Sequence, residues 1–133
     1  MRILIDTDVL LDLALGRDPH AADAARVIQL VQHGSVDGFV AWHTIANIYY
    51  MLSGARHRNR ALEFIRDLAG IAAVAPVDSE ALTVALSLRM TDFEDAMQVA
   101  SALAAGAEVI VTRNTRDFRT SPVRAVAPRD FKA

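Results

Sequence analysis

The chain is 133 residues long, 53% hydrophobic, 23% charged and 6% aromatic, which suits one compact domain spanning residues 1–133 and argues against a disordered tail or a two-domain enzyme. Cysteine is absent, so a disulfide framework, a thiolate zinc site and a cysteine nucleophile are excluded. A net charge of −2 excludes a general nucleic-acid coat, and any polynucleotide contact must use a local patch or a metal ion.

In chain order, Arg2 to Ile5 is an apolar run of strand type ending at Asp6. Asp6, Asp8 and Asp12 interrupt every window that would serve as the apolar centre of a signal peptide, so this segment is expected to stay in a mature, cytoplasmic protein. Asp18-Pro19 reads as an N-cap with proline at the first helical position, opening a helix to about His33 that Gly34 stops. The uncharged stretch from Gly38 to Ala55 is divided by His43, Thr44, Asn47 and Ser53. It therefore reads as a strand, Gly38 to Trp42, and a buried helix, Thr44 to Leu52, rather than a membrane span. A helix from Arg58 to Leu68 closes at Gly70, and a third strand runs from Ile71 to Ala75.

Asp78 caps a helix carrying Ala81, Leu82, Ala85 and Leu86 at helical spacing. Thr91-Asp92-Phe93-Glu94 matches a capping box, with threonine at the cap, and opens a largely apolar helix that ends near Gly106. Glu108 to Val111 and Val123 to Val126 complete the strands. Strands separated by helices imply an α/β architecture of three layers, a central parallel sheet flanked by helices.

In such sheets the functional crevice lies outside the carboxyl ends of the strands. Asp6 sits at one such end, and Asp117 follows the fourth strand in VTRNTRDF. Asp92 and Asp95 share one face at a helix start, where the macrodipole alone favours acidic residues. Asp95 also lies close to the buried side of its helix, where an uncompensated carboxylate is costly. If these four acids converge, a cation must sit among them, and Mg2+ or Mn2+ suits an all-oxygen site. Such an ion activates water for phosphodiester hydrolysis.

ILIDTDVLLDLALGRDP, TIANIYYML and TDFEDAMQVASALAAGAEVIVTRNTRDF together resemble the PIN domain family, metal-dependent nucleases that include toxins of VapC type. The resemblance spans nearly the whole chain. It implies a Mg2+- or Mn2+-dependent endoribonuclease whose catalytic and metal-binding acids are Asp6, Asp92, Asp95 and Asp117. It also implies possible partners: an RNA substrate, an antitoxin protein and a second copy of the chain, with no membrane contact. Many members carry glutamate where this chain has Asn47, and a subset has asparagine there together with an aspartate three residues before the helix acid, as in DFED. Asn47 ligates through its carbonyl oxygen or positions water in that reading, and makes a structural hydrogen bond in the alternative.

Thr112 and Asn114 lie beside the crevice, either positioning Asp117 or phosphate or simply forming a turn. Asp8 reads as a loop or capping residue. Lys132 is the only lysine, so substrate contact falls to arginine: Arg113 and Arg116 first, with Arg119 beside them, and a second cluster at Arg56, Arg58 and Arg60 with His57. His20, His33, His43 and His57 show no zinc spacing and read as surface or capping residues. Tyr49, Tyr50, Met51 and Leu52 read as buried within the domain, with a subunit contact as the alternative. Two rival functions remain: a PIN-like module that binds RNA or protein without turnover, and a haloacid-dehalogenase-type phosphatase built on DxD in ILIDTDVL. The lack of a suitably placed lysine weakens the latter, and a receiver domain as well.

Overall fold

The computed structural model describes residues 1–54 and 57–133. Among them, five strands form one wholly parallel sheet: β1 (Arg2–Ile5), β2 (Asp37–Val40), β3 (Ala73–Val74), β4 (Val109–Val111) and β5 (Arg124–Val126), in the order β3-β2-β1-β4-β5. Six helices accompany them: α1 (Thr7–Leu15), α2 (His20–Gln32), α3 (Trp42–Ser53), α4 (Arg58–Ala69), α5 (Ser79–Ser87) and α6 (Phe93–Ala105). Short 3-10 helices follow β4 and β5 at Thr115–Phe118 and Pro128–Asp130.

Side chains alternate across the central strands, and this alternation builds the layers. Ile3, Ile5, Val109 and Val111 pack with Val9 and Leu10 of α1, Val27 and Val31 of α2, Ile48 of α3 and Leu68 of α4. Leu4 and Ile110 point the other way, onto Val99, Ala102 and Ala105 of α6. The sheet is thus covered on both faces, as the run of apolar strands requires. At β2 the coverage is tight: a Cβ added to Gly38 would stand 2.7 Å from a methyl of Val31.

The chain winds outward from β1 in two directions, through β2 and β3 on one side and through β4 and β5 on the other. The switch point therefore lies between β1 and β4, whose carboxyl ends sit side by side in the register Ile5 with Val111. Asp6 and Thr112 are the next residues on each strand.

Several boundaries differ from those the sequence predicts. The largest difference is α1, which begins at Thr7 directly after β1. Asp6 is its N-cap, extended at φ −70° and ψ 155°, and its carboxylate accepts the Thr7 N–H; Gly16 closes the helix at φ 62°. The strand stops at Ile5, so Asp8 lies in the first turn of α1 rather than in a loop. At α2, Pro19 rather than Asp18 is the cap residue, and no side chain caps the helix. The second strand ends at Val40 and α3 starts at Trp42, because Ala41 already has the extended conformation of a cap. Asp92, not Thr91, caps α6: its Oδ1 accepts the N–H groups of Glu94 at 2.8 Å and Asp95 at 3.2 Å. A carboxylate is the stronger acceptor, and the Glu94 side chain is released from the capping box for other partners. Asp78 does cap α5, accepting from Glu80 N–H at 2.9 Å. Among the described residues, no helix is long and apolar enough to cross a membrane.

Candidate functional site

At the β1–β4 switch point Asp6 is held by two donors. Thr7 N–H and the Thr112 hydroxyl each lie 2.7 Å from one of its carboxylate oxygens. The buried Thr112 hydroxyl accepts in turn from Asn114 N–H at 3.1 Å, so the loop after β4 fixes the Asp6 carboxylate through one hydroxyl. Asp8, one helical step into α1, reaches the same loop: its Oδ2 accepts the Arg113 N–H at 3.1 Å. Its Oδ1 is buried without a hydrogen-bond partner among the described residues.

Asp6 and Asp8 line a cleft of about 400 Å3 together with Arg17, Asn47, Glu94, Asp95 and Asn114. Asp92 and Asp117 line an adjoining cavity, of which Asp95 is the shared wall. Of the four acids singled out in the sequence, Asp6 and Asp95 therefore share the main cleft, and Asp92 and Asp117 approach it from the other side of Asp95. Asp92 spends one oxygen on the cap of α6. One of its carboxylate oxygens lies with one each from Glu94 and Asp95 in a group mutually within 4.8 Å.

The electrostatics of this region are unbalanced. Burial, then the nearby Asp8 and Glu94 charges, push the Asp6 carboxyl up to about 7 from 3.8, against the lowering effect of its hydrogen bonds. Asp95 is likewise pushed up to about 7, by burial first and then by the Asp92, Glu94 and Asp117 charges. Burial also raises Asp8. Among the described residues neither Asp6 nor Asp95 forms an ion pair. A cluster of hard oxygen donors with raised proton affinity, including the orphaned Asp8 Oδ1, fits a divalent cation of the Mg2+ or Mn2+ type. Asp6, Asp8, Glu94 and Asp95 line the cleft that would take it, and among the described residues the donors that lie mutually within 4.8 Å are those of Asp92, Glu94 and Asp95.

Two of these acids escape the sequence reading. Asp8 is assigned to a loop or cap there because no helix is read between β1 and Pro19. Glu94 is assigned to a capping box, yet its side chain sits 3.0 Å from His43 Nε2 and 3.1 Å from Gln98 Nε2, and the His43 contact holds its carboxyl below the usual range. Gln98 is wholly buried and donates toward the Thr44 hydroxyl at 2.9 Å, with the Thr7 hydroxyl at 3.3 Å, so α1, α3 and α6 meet behind the cleft on one polar network. The signal available in the sequence was Glu94 and Gln98 at i, i+4 on a helix otherwise apolar at its buried face. His43 is accordingly not a surface or capping residue.

Asn47 is half-buried and lines the cleft, and among the described residues its side chain has no hydrogen-bond partner. Arg113, by contrast, is not free for substrate. Its guanidinium grips the buried Asp12, with Nη2 3.1 Å from Oδ1, and Arg17 stands 3.6 Å from the same carboxylate. Arg116 is exposed and unpaired among the described residues. Arg58 and Arg60 are exposed at the start of α4, and Arg56 of that cluster lies outside the described residues. Tyr50 is 77% exposed beside the cleft, and Met51 is exposed with it, so neither is buried within the domain.

No curated protein matches the chain. Solved structures do. VapBC-1 from nontypeable Haemophilus influenzae aligns over 98% of this chain and 100% of its own at 18% identity, with a TM-score of 0.76. A toxin-antitoxin complex from Klebsiella pneumoniae aligns over 97% and 99% at 21% identity, TM-score 0.73. VapC20 from Mycobacterium tuberculosis, a Sarcin-Ricin loop cleaving toxin, aligns over 95% and 99% at 19% identity, TM-score 0.72. These likenesses establish the fold and set aside the phosphatase and receiver readings. The PIN domain family itself matches residues 2–116, and with the parallel sheet and the acids gathered at its switch point, the chain belongs to the PIN domain family.

Proposed function

We propose that the protein is a metal-dependent endoribonuclease, with residues 1–133 acting as one PIN-like unit. The observation that carries this reading is the cleft shared by Asp6 and Asp95, two carboxyls pushed up to about 7 with no cationic side chain paired to either among the described residues. Nothing in the fold gains from such an arrangement unless a cation is taken up there. PIN domains are generally nucleases, and the toxin likeness supports the same reading.

Bound there, Mg2+ or Mn2+ would supply a water acidified toward neutrality and neutralise charge developing on a phosphodiester. The chain's own part is positional. Thr112 and the Thr7 N–H orient the Asp6 carboxylate, and Gln98 and His43 orient Glu94. Asp92, Asp95 and Asp117 complete the acid set, Asn47 contributes an uncharged oxygen or a hydrogen bond to water, and Asn114 closes the rim. Asn47, together with the aspartate of DFED, places the chain in the asparagine-bearing subgroup on this reading. The toxin–antitoxin neighbours support an antitoxin as protein partner. RNA as substrate, a homodimer as assembly and a cytoplasmic place of action belong to the same proposal.

Single-stranded RNA incubated with the pure protein and Mn2+ is expected to be cleaved, with Asp6→Asn and Asp95→Asn each slowing turnover by about a hundredfold or more. RNA binding without cleavage by the unaltered protein would identify a binding module in which Asn47 has cost the site its activity.

A further inference from the structure

The cavity on the far side of Asp95 has a volume of about 460 Å3, and its walls are completed by Arg89, Arg116, Arg119, Thr91 and Thr120. The arginines come from two distant segments. Arg89 lies in the connection between α5 and α6, Arg116 lies in the 3-10 helix after β4, and Arg119 directly follows that helix. All three are exposed. Among the described residues none is within ion-pair distance of a carboxylate, although Asp92, Asp95 and Asp117 line the same cavity.

Three other arginines do face carboxylates: Arg113 grips Asp12, Arg17 stands 3.6 Å from it, and Arg129 pairs with Asp130. The three in this cavity keep their planar donor forks available, a geometry that matches phosphate oxygens bidentately. Threonine hydroxyls beside them add neutral donors. We propose that this cavity is a phosphate-backbone subsite: Arg89, Arg116 and Arg119 hold the phosphates that flank the one presented to the Asp6–Asp95 cleft. The assignment rests on the ribonuclease reading and adds to it the path of the strand, which crosses Asp95 from the acid cleft into the arginine-lined cavity. Arg89 enters the substrate path from a segment with no basic cluster in the sequence, and Arg113 leaves it.

The test is the salt dependence of binding. A short labelled single-stranded RNA is titrated by fluorescence anisotropy with Ca2+ present, from about 50 to about 200 mM monovalent salt. Loss of each phosphate contact lowers the slope of log K against log salt by about 0.7 for a single strand, so replacing all three arginines by glutamine is expected to lower it by about 2. Arg129→Gln, in a different groove, is expected to leave the slope unchanged, and thermal unfolding checks that the variants remain folded. If the triple variant keeps the original slope while the unaltered protein cleaves RNA in Mn2+, the strand runs elsewhere and only this subsite is overturned. If the unaltered protein neither binds nor cleaves RNA, the ribonuclease reading falls and the subsite with it.

Discussion

Asp12 and Asp6 lie two turns apart around one helix, and both are almost wholly withdrawn from solvent, at 1% and 5% exposure. Asp12 is gripped by Arg113 and approached by Arg17, a closed arrangement in which charge is cancelled within the protein. Among the described residues Asp6 is held by neutral donors alone, and the nearby Asp8 and Glu94 charges oppose its ionisation. Burial of a carboxylate therefore does not by itself mark a ligand; burial without a compensating cation does. The same contrast divides the arginines, since those beside Asp12 are structural and those beside Asp95 are unengaged.

Arg113→Ala sharpens the comparison most. It would strand the buried Asp12 carboxylate with only the longer Arg17 contact, and a loss of about 3 kcal/mol in denaturant unfolding is expected. An Arg113→Ala protein of unaltered stability would show that Asp12 is no better compensated than Asp6, and the division would collapse.

Metal and pH come next. Carboxyls raised to about 7 hold protons in the folded protein that the unfolded chain has shed, so their contribution to stability is full below about 3.8 and is lost as pH rises toward 7. Glu94 runs oppositely: its lowered value favours the folded state above 4.5 and that contribution fades as the pH falls. Without divalent metal the melting temperature should therefore decline between about pH 5 and pH 7. Mn2+ at about a hundredfold over its dissociation constant should restore about 2.7 kcal/mol near pH 8, and much less near pH 5, where protons compete for the same oxygens. Equal stabilisation at both pH values would place the ion on other ligands.

The smallest effect separates the two roles of Asp92. Asparagine caps a helix about as well as aspartate, so Asp92→Asn should stay within about 0.5 kcal/mol in stability, whereas Asp92→Ala should lose about 1 kcal/mol. A fall in Mn2+ affinity in Asp92→Asn, measured by calorimetry, assigns the remaining oxygen to the metal. An unchanged affinity leaves Asp92 as a cap alone.

Much of this was legible in advance because it depends on residues near one another along the chain. The apolar run before Asp6, the glycine after α4, the cap at Asp78 and the continuous strand before Thr112 each declare themselves within a few residues, and their alternation fixes a parallel sheet with its crevice at the strand ends. Asp6, Asp95 and Thr112 follow from that frame. Asp8 was lost because α1 starts directly at the end of β1, with no turn residues between them to announce a helix. Glu94 was lost because its local partner, the capping box, yielded to His43, which lies fifty-one residues away.

From the sequence alone came the element order, the parallel architecture and the acids that stand at strand and helix ends, since helix caps, apolar periodicity and turn residues act over one or two turns of chain. Which charges are cancelled and which are left open was decided by the tertiary structure. Arg113 and Asp12 are separated by 101 residues and meet only because β4 lies against β1, while Asp6 and Asp95 come to one cleft from opposite layers of the sheet. A carboxylate's need for a cation depends on everything packed around it, and that surrounding exists only once the sheet has closed between its helices.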